Sequence, residues 1–110
     1  MQYRPAQIIS IRAGANLSAH RFVTASGNVP AAGASTLGVT LSAAQAGDQT
    51  PIVTIGTAVV EAAAAIAVGD PIATDAAGRA VVHTSGNKVA VALTSGRSGD
   101  LIEVFLIPNA

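Results

Sequence analysis

The sequence predicts an all-β fold: a compact β-sandwich or barrel, a single domain over residues 1–110, built from two similar β-modules of roughly 50 residues with an extended N-terminal arm. Three observations predict it. The first is a near-repetition. LSAAQAGDQTPIVTIG at 41–56 lies over LTSGRSGDLIEVFLIP at 93–108, setting Leu41 on Leu93, Gly47 on Gly99, Asp48 on Asp100, Ile52 on Val104 and Ile55 on Ile107. HRFVTASGNV at 20–29 likewise lies over DPIATDAAGRAV at 70–81, with Thr24 on Thr74 and Gly27 on Gly78. The second observation is apolar alternation with a period of two, the side-chain period of a strand. The third is regular Gly-Asp punctuation: AGD at 46–48, VGD at 68–70 and SGD at 98–100. Glycine supplies the positive φ of a tight turn, and the aspartate can cap nearby backbone N–H groups.

The elements follow in chain order. Residues 1–7, MQYRPAQ, stand outside the repeat. Pro5 biases Arg4 away from the helical region, so the segment reads as an extended arm. Residues 8–56 form the first module. In its TLGVTLS segment, Leu37, Val39 and Leu41 are expected on the core face and Gly38 and Thr40 on the other. Residues 57–110 form the second. Its VEAAAAIAV run at 60–68 is rich in helix-forming alanine but too short to hold a helix unaided, so one helical turn at most is expected. DAAGR at 75–79 and TSGNK at 84–88 read as hairpin loops. In KVAVALTS, Val89, Val91 and Leu93 are expected inward, with Ala90 and Ala92 outward. In the last segment Ile102, Val104 and Leu106 share one face, while Leu101, Glu103, Phe105 and Ile107 share the other. A strand apolar on both faces is either central in a sandwich or covered by a neighbouring subunit. Pro108 then ends the strand by removing a ladder donor.

Composition narrows the function classes. Val, Ile and Leu number 27 of 110 residues, enough for a core, whereas the aromatic residues are only Tyr3, Phe22 and Phe105. Six basic and six acidic residues are scattered along the chain, without the basic stripe that phosphate neutralisation in nucleic-acid binding requires. A neutral, lightly charged chain has weak electrostatic protection against self-association, which suggests a surface meant to be covered, and a homo-oligomer. The most apolar window, AVVEAAAAIAVG, is broken by Glu61 and well short of the ~20 residues of a membrane span. Cysteine is absent, so no disulfide frame or thiolate metal site is available. The N-terminus has no long apolar core of the signal-peptide type, and an intracellular origin is expected.

The equipment of catalysis is sparse. His20 and His83 form no metal-spaced pair. Asp48, Asp70 and Asp100 belong to Gly-Asp turns, where capping explains them, and Glu61 and Glu103 read as solvated strand positions. No Gly-x-Ser-x-Gly elbow occurs, and SGRSGD lacks the Lys and following helix of a phosphate loop. No enzyme and no cofactor is expected. Two binding alternatives remain. A carbohydrate-binding module would need a platform of aromatic rings, and three aromatics are too few. A lipoyl- or biotinyl-type carrier would present Lys88 at a hairpin tip, but the flanking Met or acidic residues usual in such domains are missing.

The pattern AIAVGDPIATDAAGRAV followed by TSGNKVAVALTSGRSGDLIEVFL resembles the small capsid cement, or decoration, proteins of tailed bacteriophages. The similarity is strongest over residues 58–107, looser over 17–56, and does not reach the arm. It implies an all-β structural protein of the virion that binds the outer surface of the capsid after expansion. It further implies a homo-oligomer, with a trimer favoured, that clamps adjacent major capsid proteins and assembles in the host cytoplasm. No catalytic residue carries over. The expected capsid or oligomer contacts are Tyr3, Arg4 and Pro5 on the arm, and Phe105 on the two-faced final strand.

Overall fold

A computed structural model describes residues 5–84 and 86–107. The described residues form eight strands and no helix: β1 (Pro5–Arg12), β2 (Phe22–Val23), β3 (Gly38–Thr40), β4 (Gln49–Glu61), β5 (Pro71–Thr74), β6 (Ala80–Val82), β7 (Ala90–Ala92) and β8 (Leu101–Leu106). All are antiparallel to their neighbours, in the order β2-β3-β4-β8-β7-β5-β6, with β1 added beside β4. The ends of this order come together. The Phe22 N–H of β2 donates to the Gly78 carbonyl beside β6 at 2.7 Å, and the Ala63 N–H, just past the end of β4, donates to the Ala80 carbonyl of β6 at 2.8 Å. The sheet is thus a nearly closed barrel, which leaves few free edges for uncontrolled pairing.

The 13-residue strand β4 is the hub. Its first part pairs with β1 on one side and β3 on the other; its second part, Thr57–Glu61, pairs with β8. Between them Gly56 adopts a φ of 100°, where a side chain is strongly disfavoured. The register with β1 shifts nearby, between Val53 and Ile55, and parity changes with it: Val53 and Ala58, five residues apart, both belong to the main core, which strict alternation forbids.

Pairing recurs along the chain. The neighbours β1–β4–β3–β2 of the first half have their match in β4–β8–β7–β5 of the second. So do the Gly-Asp turns. In each, the aspartate Oδ2 accepts from a backbone N–H three residues earlier: Gln45 at 3.2 Å, Ala67 at 2.9 Å and Arg97 at 2.9 Å. Each turn also clasps the end of a neighbouring strand. Gly47 and Asp48 bond the backbone of Ala13, Gly99 and Asp100 that of Ala62, and Gly69 and Asp70 that of Ala92. A fourth clasp has the same two bonds but another sequence, with His20 and Arg21 holding Thr40. His20 therefore carries a φ of 59° at the place where the other three have glycine. In TASGN and DAAGR the matching turn bonds set Thr24 on Asp75, one residue beyond the match with Thr74 that the sequences suggest.

Two apolar clusters fill the interior. The main one joins Val60, Ile72, Ile102, Val104 and Leu106 to Phe22, Val39 and Val53. The smaller holds Ala13, Leu17, Val23 and Ile52, with Ile9, Ile11 and Leu37 packed against it.

The structure answers several expectations, some by correction. Residues 60–68, where one helical turn at most was expected, contain none: β4 runs on to Glu61, and Ile66 then bridges to Gly96. Bonds from Ala62 to the 98–100 turn and from Ile66 to Gly96 fix this stretch in a non-helical path, overriding alanine's helical preference. The phase of β7 is reversed: Ala90 and Ala92 are buried, while Val91 is half-exposed and Leu93 exposed. Ile72, Ile102 and Val104 already fill the narrow barrel, so only methyl groups fit opposite them. All of β3, including Gly38 and Thr40, is buried, because apolar clusters cover both of its faces. Residues 84–88 are not a hairpin loop, since β6 and β7 both pair with β5 and not with each other. Finally, Pro5 to Gln7, expected in a free arm, belong to β1 and pair with Gly56 and Ile55.

Candidate functional site: an exposed apolar sheet face

The outer face of β4, β8, β7 and β5 carries Phe105, Leu93 and Leu101, three of the eight large apolar residues left exposed among the described residues. Register places them in rows. Thr57 pairs with Phe105, Phe105 with Val91, and Val91 with Pro71, making one row across four strands. The next row sets Val59 opposite Glu103, and Leu93, whose N–H donates to the Glu103 carbonyl at 2.8 Å, on the other side. Leu101 pairs with Glu61 in the third. Phe105 is 50% exposed, Leu93 41% and Leu101 40%. The sequence separated this face from that of Ile102, Val104 and Leu106 and left open whether both are covered; the structure buries the latter and leaves this one exposed. Glu103 stands among Val59, Leu93, Leu101 and Phe105. Its carboxylate makes no ion pair among the described residues, so any surface that covers the face must hydrate it or supply a cation.

Rows of exposed apolar side chains of this kind make a candidate interaction surface. Several other polar groups have structural partners. Asp48, Asp70 and Asp100 cap their turns as the sequence suggests. Glu61, expected to be solvated, is instead paired with Arg21 at 3.1 Å. The same guanidinium donates to the Ala77 carbonyl at 3.1 Å, tying β4 to the β5–β6 turn. The two histidines do not share a site. His20 occupies the fourth clasp, and the His83 ring contacts the Gly86 carbonyl of its own loop at 3.0 Å. Lys88 lies exposed in the connection from β6 to β7. Among the described residues no group of three or more His, Cys, Asp or Glu could hold a metal.

A pocket of about 240 Å³ lies between the 32–33 loop and the β5–β6 hairpin, lined by Gly33, Thr74, Asp75, Val81 and Gly86 among others. It is smaller than the roughly 300–1,000 Å³ usual for ligand sites. Both Asp75 oxygens are already committed, to the N–H groups of Ala77 and Arg79 and to the Arg79 side chain. Of the aromatic residues described, Phe22 is buried and Phe105 exposed, so no platform of rings forms. Tyr3 and Arg4 lie outside the described residues. Pro5 opens β1, opposite Gly56. The second apolar face of the final strand was legible in the sequence, though not that it lies open; Val91 and Leu93 were missed because their size suggested the core.

The family model for phage cement proteins matches residues 3–106. The chain belongs to the phage cement protein family. This places it among structural proteins of the phage virion, a class that is not enzymatic, and implies association with the phage capsid. The cement fold also has a solved counterpart. The N base of the head fiber protein gp8.5 of bacteriophage phi29 superposes with a TM-score of 0.77 at 22% identity, over 92% of this chain and 95% of that one. The likeness is one of fold. No curated protein matches this cement protein.

Proposed function

We propose that this cement protein binds the outer surface of an expanded phage capsid as a homo-oligomer, a trimer being favoured, and clamps neighbouring major capsid proteins against internal pressure. The observation that carries the reading is the family match across nearly the whole chain. The open apolar face around Phe105 and the absence of net charge agree with it, because both favour coverage by another protein. Two similar modules, 8–56 and 57–110, build the domain in this reading, and the capsid contact falls on the N-terminal segment. Tyr3 offers a rigid ring and Arg4 a fork of donors, both common at binding hot spots, and Pro5 limits the freedom lost on docking. Many copies on a lattice multiply a modest contact through avidity. Assembly takes place in the host cytoplasm.

The test is decoration. Purified protein mixed with expanded empty capsids is expected to appear as ordered density on the shell exterior, and capsids so treated to resist heat better. Because residues 5–7 pair with β4, the informative truncation removes residues 1–4 only. It is expected to weaken attachment with little change in thermal midpoint. Undiminished attachment of the truncated protein would remove Tyr3 and Arg4 from the contact. Failure of the full chain to decorate would remove the capsid reading.

A further inference from the structure

Two open apolar surfaces of this molecule are complements of a contact that it already makes internally. In the first half of the sheet the cross-strand row Phe22–Val39–Val53 is sealed, each residue being 1% exposed or less. These side chains join the main core with Val60, Ile102 and Val104. In the second half the same place is held by Pro71–Val91–Phe105, since β5, β7 and β8 pair with one another as β2, β3 and β4 do. Backbone bonds fix the correspondence: the Leu37 N–H donates to the Val23 carbonyl and the Val89 N–H to the Ile72 carbonyl, both at 2.8 Å. Yet this second row is open, with Phe105 half-exposed.

The interiors show the converse. The clasps at Ala13 and Ala62 align Ile9 with Ala58 and Ile11 with Val60, and Leu37 aligns with Val89. Ala58, Val60 and Val89 are buried, in the cluster that the sealed row joins. Their counterparts Ile9, Ile11 and Leu37 are only half-buried, against the smaller cluster. One row lacks a socket, and one socket lacks a row.

We propose that a second copy of this chain supplies both. Pro71, Val91 and Phe105 of one copy dock over Ile9, Ile11 and Leu37 of the next, repeating between chains the packing that Val39 and Val53 make within one. The inference rests on the homo-oligomeric reading above and gives it a geometry. A second copy is the occupant because its socket has the backbone pattern to which such a row already fits inside the molecule. Side chains are bulkier on both sides, Phe105 for Val53 and Ile9 for Ala58, so the contact between copies seats less deeply than the internal one. It is head-to-tail, so each copy uses one row and one socket until a ring closes.

The experiment mixes two broken copies. Wild type, Phe105→Asp and Ile9→Asp are compared by sedimentation velocity and native mass spectrometry at micromolar concentration. Wild type is expected above the 10.8 kDa of one chain, and each variant alone at that mass. Their equimolar mixture is expected to form a dimer, because one intact row and one intact socket remain. A monomeric wild type overturns the oligomer reading and this inference with it. An oligomeric wild type whose mass is unchanged by Phe105→Asp leaves that reading standing and overturns only this contact. Variants that stay monomeric when mixed overturn the head-to-tail arrangement. If Phe105→Asp keeps the oligomer but abolishes capsid decoration, the row belongs to the shell and the proposal falls. Should Ile9→Asp unfold the smaller core, cysteines provide the second route, since the chain has none. Phe105→Cys and Ile9→Cys, mixed and oxidised, are expected to yield a linked dimer well in excess of either alone; no excess overturns the contact.

Discussion

At the scale of single residues, the four clasps separate two reasons for glycine. A Cβ added at Gly47, Gly69 or Gly99 would meet nothing within 4 Å, so space does not require glycine there. Backbone conformation does, with φ near 90° in all three. His20 fills the fourth clasp at 59°, inside the small left-handed region that histidine tolerates better than most residues. Two substitutions therefore differ in effect. Gly69→Val forces a β-branched residue into a disfavoured conformation and is expected to cost about 1–3 kcal/mol in urea unfolding. His20→Gly relaxes the fourth turn while enlarging the entropy of the unfolded chain, and is expected to change stability by less than about 1 kcal/mol. Equal losses from both would show that the turns are not held by backbone conformation.

At the scale of elements, β7 decides how the barrel is filled. Ala90 and Ala92 point to a space bounded by Ile72, Ile102 and Val104, where each added methylene has nowhere to go. Ala90→Leu is expected to destabilise the fold by about 1–3 kcal/mol or more, as overpacked cores do. Leu93→Ser, on the open face, is expected to shift the unfolding midpoint of the isolated protein by less than about 0.5 kcal/mol. Chemical denaturation of the two variants checks the assignment. The reverse order would return Leu93 to the core and Ala90 to the surface. β4 shows the same economy of position: the register shift between Val53 and Ile55 and the positive φ of Gly56 let one continuous strand serve two pairings, with Val53, Ala58 and Val60 all in the main core.

At the scale of the whole molecule, stability and assembly are linked. The largest exposed ring, Phe105, and the half-open cluster behind Ile9 and Ile11 both gain burial when copies associate. A partner that binds only the folded chain raises the midpoint by mass action. The thermal midpoint is therefore expected to climb with protein concentration across the micromolar range. A midpoint independent of concentration would show that the isolated chain is already the stable unit. The Arg21–Glu61 pair bridges β4 and the segment before β2, and Arg21 also reaches the β5–β6 turn, so such unfolding is expected to be a single transition.

Most strand segments, the Gly-Asp turns and the two apolar faces of β8 were determined by the sequence alone, because each depends on local rules: a period of two, a positive φ, a short capping side chain. Resemblance in the second half sufficed to indicate the family for the same reason, since its motifs are those turns and strands. Tertiary structure decided the rest. Whether Val91 or Ala90 faces inward depends on what stands across the barrel, and alternation has no phase until that is known. Residues 60–68 stay out of a helix through bonds to a Gly-Asp turn and its neighbours far away in the chain. Glu61 acquires a partner forty residues upstream, and Pro5 to Gln7 join a strand that no local pattern announced. Only the closed sheet could reveal that one apolar row is sealed inside the molecule while its counterpart lies open, for burial belongs to neighbours in space and not to neighbours in sequence.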